Sequence, residues 1–497
     1  MTRQTAGLIL GPALFLLLLV IPLPAGMEPQ AMHVAAVAAL MAVWWITEAI
    51  PIPATALLPV FLFPVLGVMK GVEVTLSYAH HLVYLFLGGF LIAVTLEKWN
   101  LHRRIALHTI RLVGVTPDRI ILGFMVATAF LSMWISNTAA TMMMVTIAVA
   151  VLRQVTVEIN GRPSLNIDTS PGCFRFGTAL MLGIGYSASI GGVATLIGTP
   201  PNAIFAGIVE KIYGQGVSLV EWMMFGLPLA AVMLVIAWWY LVRIAYPGEI
   251  DSLPGGREAI HGEIAGLGPM SSQEKRVLAV FILVAVLWIL RGLLSGFEIF
   301  ALIEDSTIAV GGAVLLFVIP SDLKKREFLL DWKTAVTIPW DILILFGGGF
   351  ALAQGFSESG LTHYLAGRLT VLEGSSMVIV VLAVTALVIF LTEITSNTAT
   401  ASIALPIMAA LAGAMQLHPY GLMLSATIAA SFAFMLPVAT PPNAIVFSSR
   451  YVTITQMAKT GIWLNLIGIL LITGFVIFLL PLVWGIDIHA LPSEFAP

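Results

Sequence analysis

Two stretches of the chain set hydrogen-bonding side chains in otherwise apolar surroundings. "WISNTAATMMM" (Trp134–Met144) holds Ser136, Asn137 and Thr138, and "EITSNTATASIA" (Glu393–Ala404) holds Ser396, Asn397 and Thr398, a step of 260 residues. Each serine follows a second hydroxyl by four residues, Ser132 in the first copy and Thr392 in the second. Further on, "IGTPPNAI" (Ile197–Ile204) and "VATPPNAI" (Val438–Ile445) repeat Thr-Pro-Pro-Asn at a step of 241. Hydroxyl, amide and freed carbonyl oxygens are ligands for a hard cation such as Na+, and there is no Cys/His cluster to favour a transition metal. Helix N-termini, with unpaired N–H groups and the positive end of the helix dipole, suit an anion. Neither triplet and neither Thr-Pro-Pro-Asn loop contains Lys, Arg or His. An anion held there must be neutralised by something other than a side chain, and a co-transported cation meets that need. An intramembrane hydrolase would require a nucleophile beside a base or a metal cluster, and no His lies near either triplet.

The elements that must position these residues are membrane helices. The 497 residues are 59% hydrophobic and 10% charged, against about 25% charged in soluble domains. A net charge of −3 gives no sign of a nucleic-acid or polyanionic partner. Apolar runs long enough to cross about 30 Å of hydrocarbon start near residues 7, 32, 53, 81, 177, 221, 277, 300, 338, 421 and 460, which gives about 11 transmembrane helices. The first run is expected to be a retained helix rather than a signal peptide. Two more apolar stretches, 118–152 and 376–411, are too long for one crossing and are interrupted by Ser-Asn-Thr, so each is expected to be a re-entrant hairpin of two half-helices. With the N-terminus placed in the cytoplasm, 19 of the 23 lysines and arginines fall on the cytoplasmic side. That bias predicts a multi-pass inner-membrane protein with its C-terminus outside. The hairpins then open to opposite faces.

"YLFLGGFLIA" (Tyr84–Ala93) matches "ILFGGGFALA" (Ile344–Ala353) at the same step of 260. The shorter step between the Thr-Pro-Pro-Asn copies fits the longer polar loop around "EINGRPSLNIDTSPG" in the first half. With five crossings between equivalent points, the copies have opposite orientation, an inverted repeat. Backbone broken inside a membrane survives only within protein or beside a watery cavity, and inverted repeats with broken helices at matching places point to a transporter site near the midplane. A receptor or scaffold has no need of them. Weaker features have plainer expectations. Glu48 and Glu393 are intramembrane carboxylates expected chiefly to brace helix ends. His80, His81 and Arg291 are expected anchors, Cys173 a surface thiol, and Gly88, Gly89 and Gly347 to Gly349 points of close helix contact. Glu97–Gly114 is expected as an amphipathic helix along the inner surface, with a second-half counterpart over 354–372.

On "ITEAIPIPATALLP", the two Ser-Asn-Thr tips, "GTPPN" and "ATPPN", the chain resembles the divalent anion/sodium symporter family across nearly its whole length. The resemblance implies a homodimer of scaffold and transport domains working as an elevator, with residues 1–117 and 246–375 as scaffold and 118–245 and 376–497 as transport parts. It implies Na+ sites at Ser132, Ser136, Asn137 and Gly198, and at Thr392, Thr395, Asn397 and Ala439, with Thr395 acting through its carbonyl. Substrate would face Asn137, Thr138, Thr199, Pro200, Ser396, Asn397, Thr398, Thr440 and Pro441. The expected function is Na+-coupled import of C4 dicarboxylates such as succinate, malate or fumarate, without an organic cofactor or enzymatic activity. The alternatives are citrate or sulfate as cargo, or sodium-independent exchange.

Overall fold

The computed structural model describes residues 2–495 except 115, 162–166, 171, 249–254, 295–301, 370–373 and 375. Nine helices among the described residues are long and apolar enough to cross a membrane. Seven fall on expected crossings: Arg3–Val20, Pro29–Thr47, Gly71–Lys98, Arg175–Val193, Leu219–Ala245, Trp340–Glu358 and Ile454–Trp484. The other two, Asn137–Asn160 and Asn397–Ala414, are the second limbs of the two interrupted stretches. The runs starting near 53, 300 and 421 yield the shorter helices Ile52–Val65, Asp305–Val318 and Pro419–Ser431. The one near 277 yields Ser272–Leu294. The β-structure among the described residues is a two-stranded ribbon, Pro320–Asp322 with Glu327–Phe328.

Both interrupted stretches fold as helix, short break, helix. The first runs Pro117–Ser132 then Asn137–Asn160, and the second Met377–Thr392 then Asn397–Ala414. The limbs are unequal: 24 residues in Asn137–Asn160 against 16 in Pro117–Ser132, or about 36 Å against about 24 Å at the helical rise. The longer limb is therefore more than a half-helix, because nothing in Asn137–Asn160 stops propagation before Gly161.

Each Thr-Pro-Pro-Asn opens a new helix, Pro200–Tyr213 in one half and Pro441–Ser448 in the other, because proline fits a helix's first turn and disfavours the helical region for the residue before it. Thr199 and Thr440 are accordingly extended, with φ of −145° and −153°. The helices that precede the breaks form the hub of the molecule. Every residue of 176–193 and of Pro419–Ser431 is buried. Glycine, alanine and serine make that possible, since small side chains let neighbouring helices close in from every side.

Close contact also explains the glycine pairs. A Cβ on Gly88 would stand 2.5 Å from the Ala309 main chain, and one on Gly348 would collide with the Ala56 carbonyl. Around the Gly348 contact, buried residues of 27–74 form an apolar cluster with Leu345, Leu352, Phe356 and Leu361, separate from the larger core. The first helix instead turns Leu8, Ile9, Leu16 and Leu17 outward, as a lipid-facing surface does. The amphipathic stretch is the helix Leu101–Val113, which buries Leu101, Ala106, Leu107 and Ile110. Its Arg104 bonds both oxygens of Glu274. The second-half counterpart is shorter than expected: residues 354–358 complete the preceding helix, a new one spans Leu361–Leu369, and 370–372 lie outside the described residues. At the end of Gly71–Lys98, Lys98 Nζ reaches Oδ2 of Asp331, which lies outside the spans, at 2.6 Å. That ammonium, with the Thr334 amide, holds the Asp331 carboxyl at about 2. Arg291 pairs with Asp305 at 2.9 Å and Glu304 at 2.5 Å, and Cys173 is exposed.

Candidate functional site

Four helices begin at one cavity of about 540 Å³: those opening at Asn137, Pro200, Asn397 and Pro441. All nine positions that the family resemblance assigns to substrate line it, namely Asn137, Thr138, Thr199, Pro200, Ser396, Asn397, Thr398, Thr440 and Pro441. Of the cation positions, Ser136, Asn137, Gly198, Asn397 and Ala439 line it too, whereas Ser132, Thr392 and Thr395 sit behind the wall, buried. The lining is mostly uncharged, so the charge available to an anion comes from the four helix N-termini.

Behind the wall the two halves make matching bonds. Ser132 Oγ donates to the Ala188 carbonyl at 2.8 Å, and Thr392 Oγ1 to the Ala430 carbonyl at 2.9 Å. Each hydroxyl also meets the amide of its own tip, Ser132 touching Asn137 and Thr392 bonding Asn397 Oδ1 at 2.7 Å. Asn202 Nδ2 donates to the carbonyls of Gly192 and Thr195 at 3.1 and 2.7 Å, and Asn443 Nδ2 to those of Ala433 and Leu436 at 2.9 and 3.1 Å. These amides hold the broken backbone open, so that Gly198 and Ala439 keep their place on the cavity.

At the first tip the Asn137 side chain faces three acceptors: Ser132 Oγ and the carbonyls of Ala188 and Gly198. Turned nitrogen-inward, the amide donates to Ala188 at 3.3 Å and Gly198 at 3.2 Å. Turned oxygen-inward, it completes a cluster of four oxygens, a donor set that fits Na+. Gly192 is required for this approach, because a Cβ there would stand 2.8 Å from Asn137 Oδ1. Buried oxygens without a partner among the described residues also come in matched pairs, Ser189 with Ser431 and Asn202 Oδ1 with Asn443 Oδ1. Thr395 turns its hydroxyl away, onto the Leu391 carbonyl at 2.8 Å and Thr400 at 2.6 Å.

The halves differ in how each tip is tied to its break. In the first, Thr195 Oγ1 donates to the Met133 carbonyl at 2.6 Å. In the second, the Glu393 carboxylate accepts the main-chain N–H groups of Phe434, Met435 and Leu436 at 2.8, 2.9 and 3.1 Å, and the Asn465 amide at 2.7 Å. Glu393 therefore braces the second break, as an acceptor-only group saturated with donors must.

Against known proteins, the model of the sodium:sulfate symporter transmembrane region matches residues 2–485. The chain belongs to this family. The sodium-dependent dicarboxylate transporter SdcS of Staphylococcus saprophyticus is 46% identical over 488 residues, 98% of this chain and 93% of that protein. SdcS of Staphylococcus aureus strain MRSA252 is 45% identical over 490 residues, with the same coverage. This is a transporter family, and no enzyme is among these relatives. In fold the chain is similar to the efflux pump MtrF of Neisseria gonorrhoeae, at TM-score 0.57 and 13% identity over 96% of this chain and 95% of that one. It is similar too to the YdaH transporter of Alcanivorax borkumensis, at 0.55 and 12% over 93% and 100%.

The sequence of this family member did not announce the rest of the cavity. Glu48, Ile52, Phe86, Phe90 and Ile342 line it from helices outside the two hairpins and breaks. Phe90 stood out only as the counterpart of Phe350, which the fold instead buries against His80. His80 and His81, expected as anchors, share one partner: His81 Nε2 meets Glu210 at 2.7 Å and His80 Nε2 lies 3.6 Å from the same carboxylate, beside a second pocket that Lys211 also lines.

Proposed function

We propose that the chain is a Na+-coupled symporter of C4 dicarboxylates such as succinate, malate and fumarate. The observation that carries this reading is the single cavity on which both Ser-Asn-Thr tips and both Thr-Pro-Pro-Asn breaks converge. Carboxylate oxygens take N–H and hydroxyl donors from Asn137, Thr138, Asn397, Thr398, Thr199 and Thr440 at the helix N-termini, with Ser396, Pro200 and Pro441 shaping the floor. Na+ is carried in the oxygen clusters behind each tip, at Ser132, Ser136, Asn137 and Gly198, and at Thr392, Asn397, Ala439 and the Thr395 carbonyl. Two cations beside the anion supply the countercharge that the side chains withhold, so each ligand strengthens the other by their shared coupling energy. The names of the SdcS relatives favour dicarboxylate and sodium; the family description keeps sulfate as the second reading. Both cargoes are small dianions.

Eleven crossings and two hairpins in an inverted repeat then make two bodies. Residues 118–245 and 376–497 move as the transport part against a scaffold of 1–117 and 246–375, through which two protomers pair. With the N-terminus in the cytoplasm, Glu48 marks the inner end of Pro29–Thr47, so a cavity lined by Glu48 is an inward-facing one. The test is uptake of labelled succinate into proteoliposomes under a Na+ gradient, competed by citrate and sulfate. Uptake that runs equally in K+ and needs internal dicarboxylate would replace symport with exchange; competition by sulfate alone would replace the substrate.

A further inference from the structure

The cavity contains one ionisable side chain, and its sign opposes an anion. Among the lining residues that side chain is Glu48. It is exposed, and among the described residues its carboxylate has neither a hydrogen bond nor an ion pair. Arg3, which reaches this end of the helix, directs its guanidinium to the carbonyls of Ile46 and Ile394 instead. The backbone at Glu48 is left-handed, with φ of 50°, at the helix end where glycine is usually found. The turn is fixed by its own N–H on the Trp44 carbonyl and by Trp45 Nε1 on the Ile52 carbonyl at 3.1 Å. The turn thus places Glu48, whose carboxylate has no partner among the described residues, on the cavity wall, at a position where the backbone alone would favour glycine.

The volume does not choose among small carboxylates, because about 540 Å³ lies well within the range of pockets that hold larger ligands. Charge does. We propose that Glu48 is a charge filter, which sets two negative charges as the ceiling for a bound anion and turns away fully ionised tricarboxylates. The inference deepens the dicarboxylate reading and rests on it. Repulsion from a fixed carboxylate grows with each negative charge on the ligand. Across a cavity of this size, in a partly screened interior, one further charge lowers affinity about tenfold. Dianions bear that repulsion because the helix N-termini and the co-bound cations offset it; a third carboxylate adds a charge with no matching donor.

The experiment measures Na+-driven uptake of labelled succinate into proteoliposomes at pH 8, where citrate is a trianion, with unlabelled succinate and citrate as competitors. Wild type, Glu48→Gln and Glu48→Asp are compared through the ratio of the two half-inhibiting concentrations. The ratio is expected to shift toward citrate by about tenfold in Glu48→Gln and to stay near the wild-type value in Glu48→Asp, which keeps the charge. An unmoved ratio in Glu48→Gln overturns the filter while leaving the dicarboxylate reading intact. If wild type takes up no succinate, that reading falls and the filter with it. Should Glu48→Gln bind without transporting, the ligand-dependent rise in melting temperature of the purified variant gives the same ratio and decides the matter in the same way.

Discussion

Asn137 and Asn397 join the two proposed roles of the site, since each amide touches an oxygen cluster behind it and the cavity before it. Alanine at either position removes both contacts without disturbing the helix that follows. Asn137→Ala or Asn397→Ala is expected to abolish succinate uptake while the size-exclusion profile stays that of the wild type; near-normal uptake in both variants would take the tips out of the site. Glu393 calls for the opposite outcome. Its carboxylate closes four donors in a buried place, 3% exposed. Glu393→Ala leaves these donors unsatisfied, at a cost of roughly 3 kcal/mol. A clear drop in melting temperature in detergent is the expected result, and an unchanged one would show that Glu393 does not brace the break.

At the scale of elements, the site is held by helices that approach more closely than side chains normally allow. Gly88→Ala drives a methyl group into the Ala309 main chain, and prising apart two packed helices costs about 1–3 kcal/mol. Gly311 lies on the same partner helix, Asp305–Val318, with open space where its Cβ would be. Gly311→Ala should be neutral or gain up to about 1 kcal/mol, because alanine is the better helix former. Thermal unfolding of the two variants side by side separates the packing effect from propensity. If both behave alike, the close approach of helices His81–Lys98 and Asp305–Val318 is not what fixes Phe86 and Phe90 on the cavity wall.

For the whole molecule the question is relative motion. The hydrogen bond of His81 with Glu210 links residue 81, in the proposed scaffold, to residue 210, in the proposed transport part. Alternating access requires that pair to separate once per cycle. In a Cys173→Ser background, His81→Cys with Glu210→Cys is expected to be bridged by a short bis-methanethiosulfonate reagent, which spans the gap that the two long side chains fill, to stop uptake and to recover with reductant. A crosslinked protein that still transports would show that the two parts do not slide past one another. Equal melting temperatures in Na+ and K+ with succinate present would count against the shared oxygen clusters, because a ligand that binds only the folded state raises its stability.

Much of this was legible in the sequence because membrane folding writes its constraints locally. Hydrocarbon demands apolar runs and satisfied backbone groups, so a Ser-Asn-Thr or Thr-Pro-Pro-Asn inside such a run marks a break wherever it falls, and repetition at steps of 260 and 241 marks it twice. That reasoning named the two interrupted stretches and the broken helices, and the family resemblance named the nine positions that line the cavity. It could not say how far each limb extends, hence the 24-residue second limb of the first hairpin, nor that residues 354–358 belong to the helix before the second arm. Only the tertiary structure decided what meets across hundreds of residues. Glu48 from one helix faces tips 88 and more residues away, Glu393 turns to residues 434–436 and 465, and Phe90 and Phe350, alike in sequence, part company, one to the cavity and one to the core. The physical reason is that hydropathy and helix breaking depend on neighbours along the chain, whereas the partner of a polar atom or the wall of a cavity is set by packing between helices.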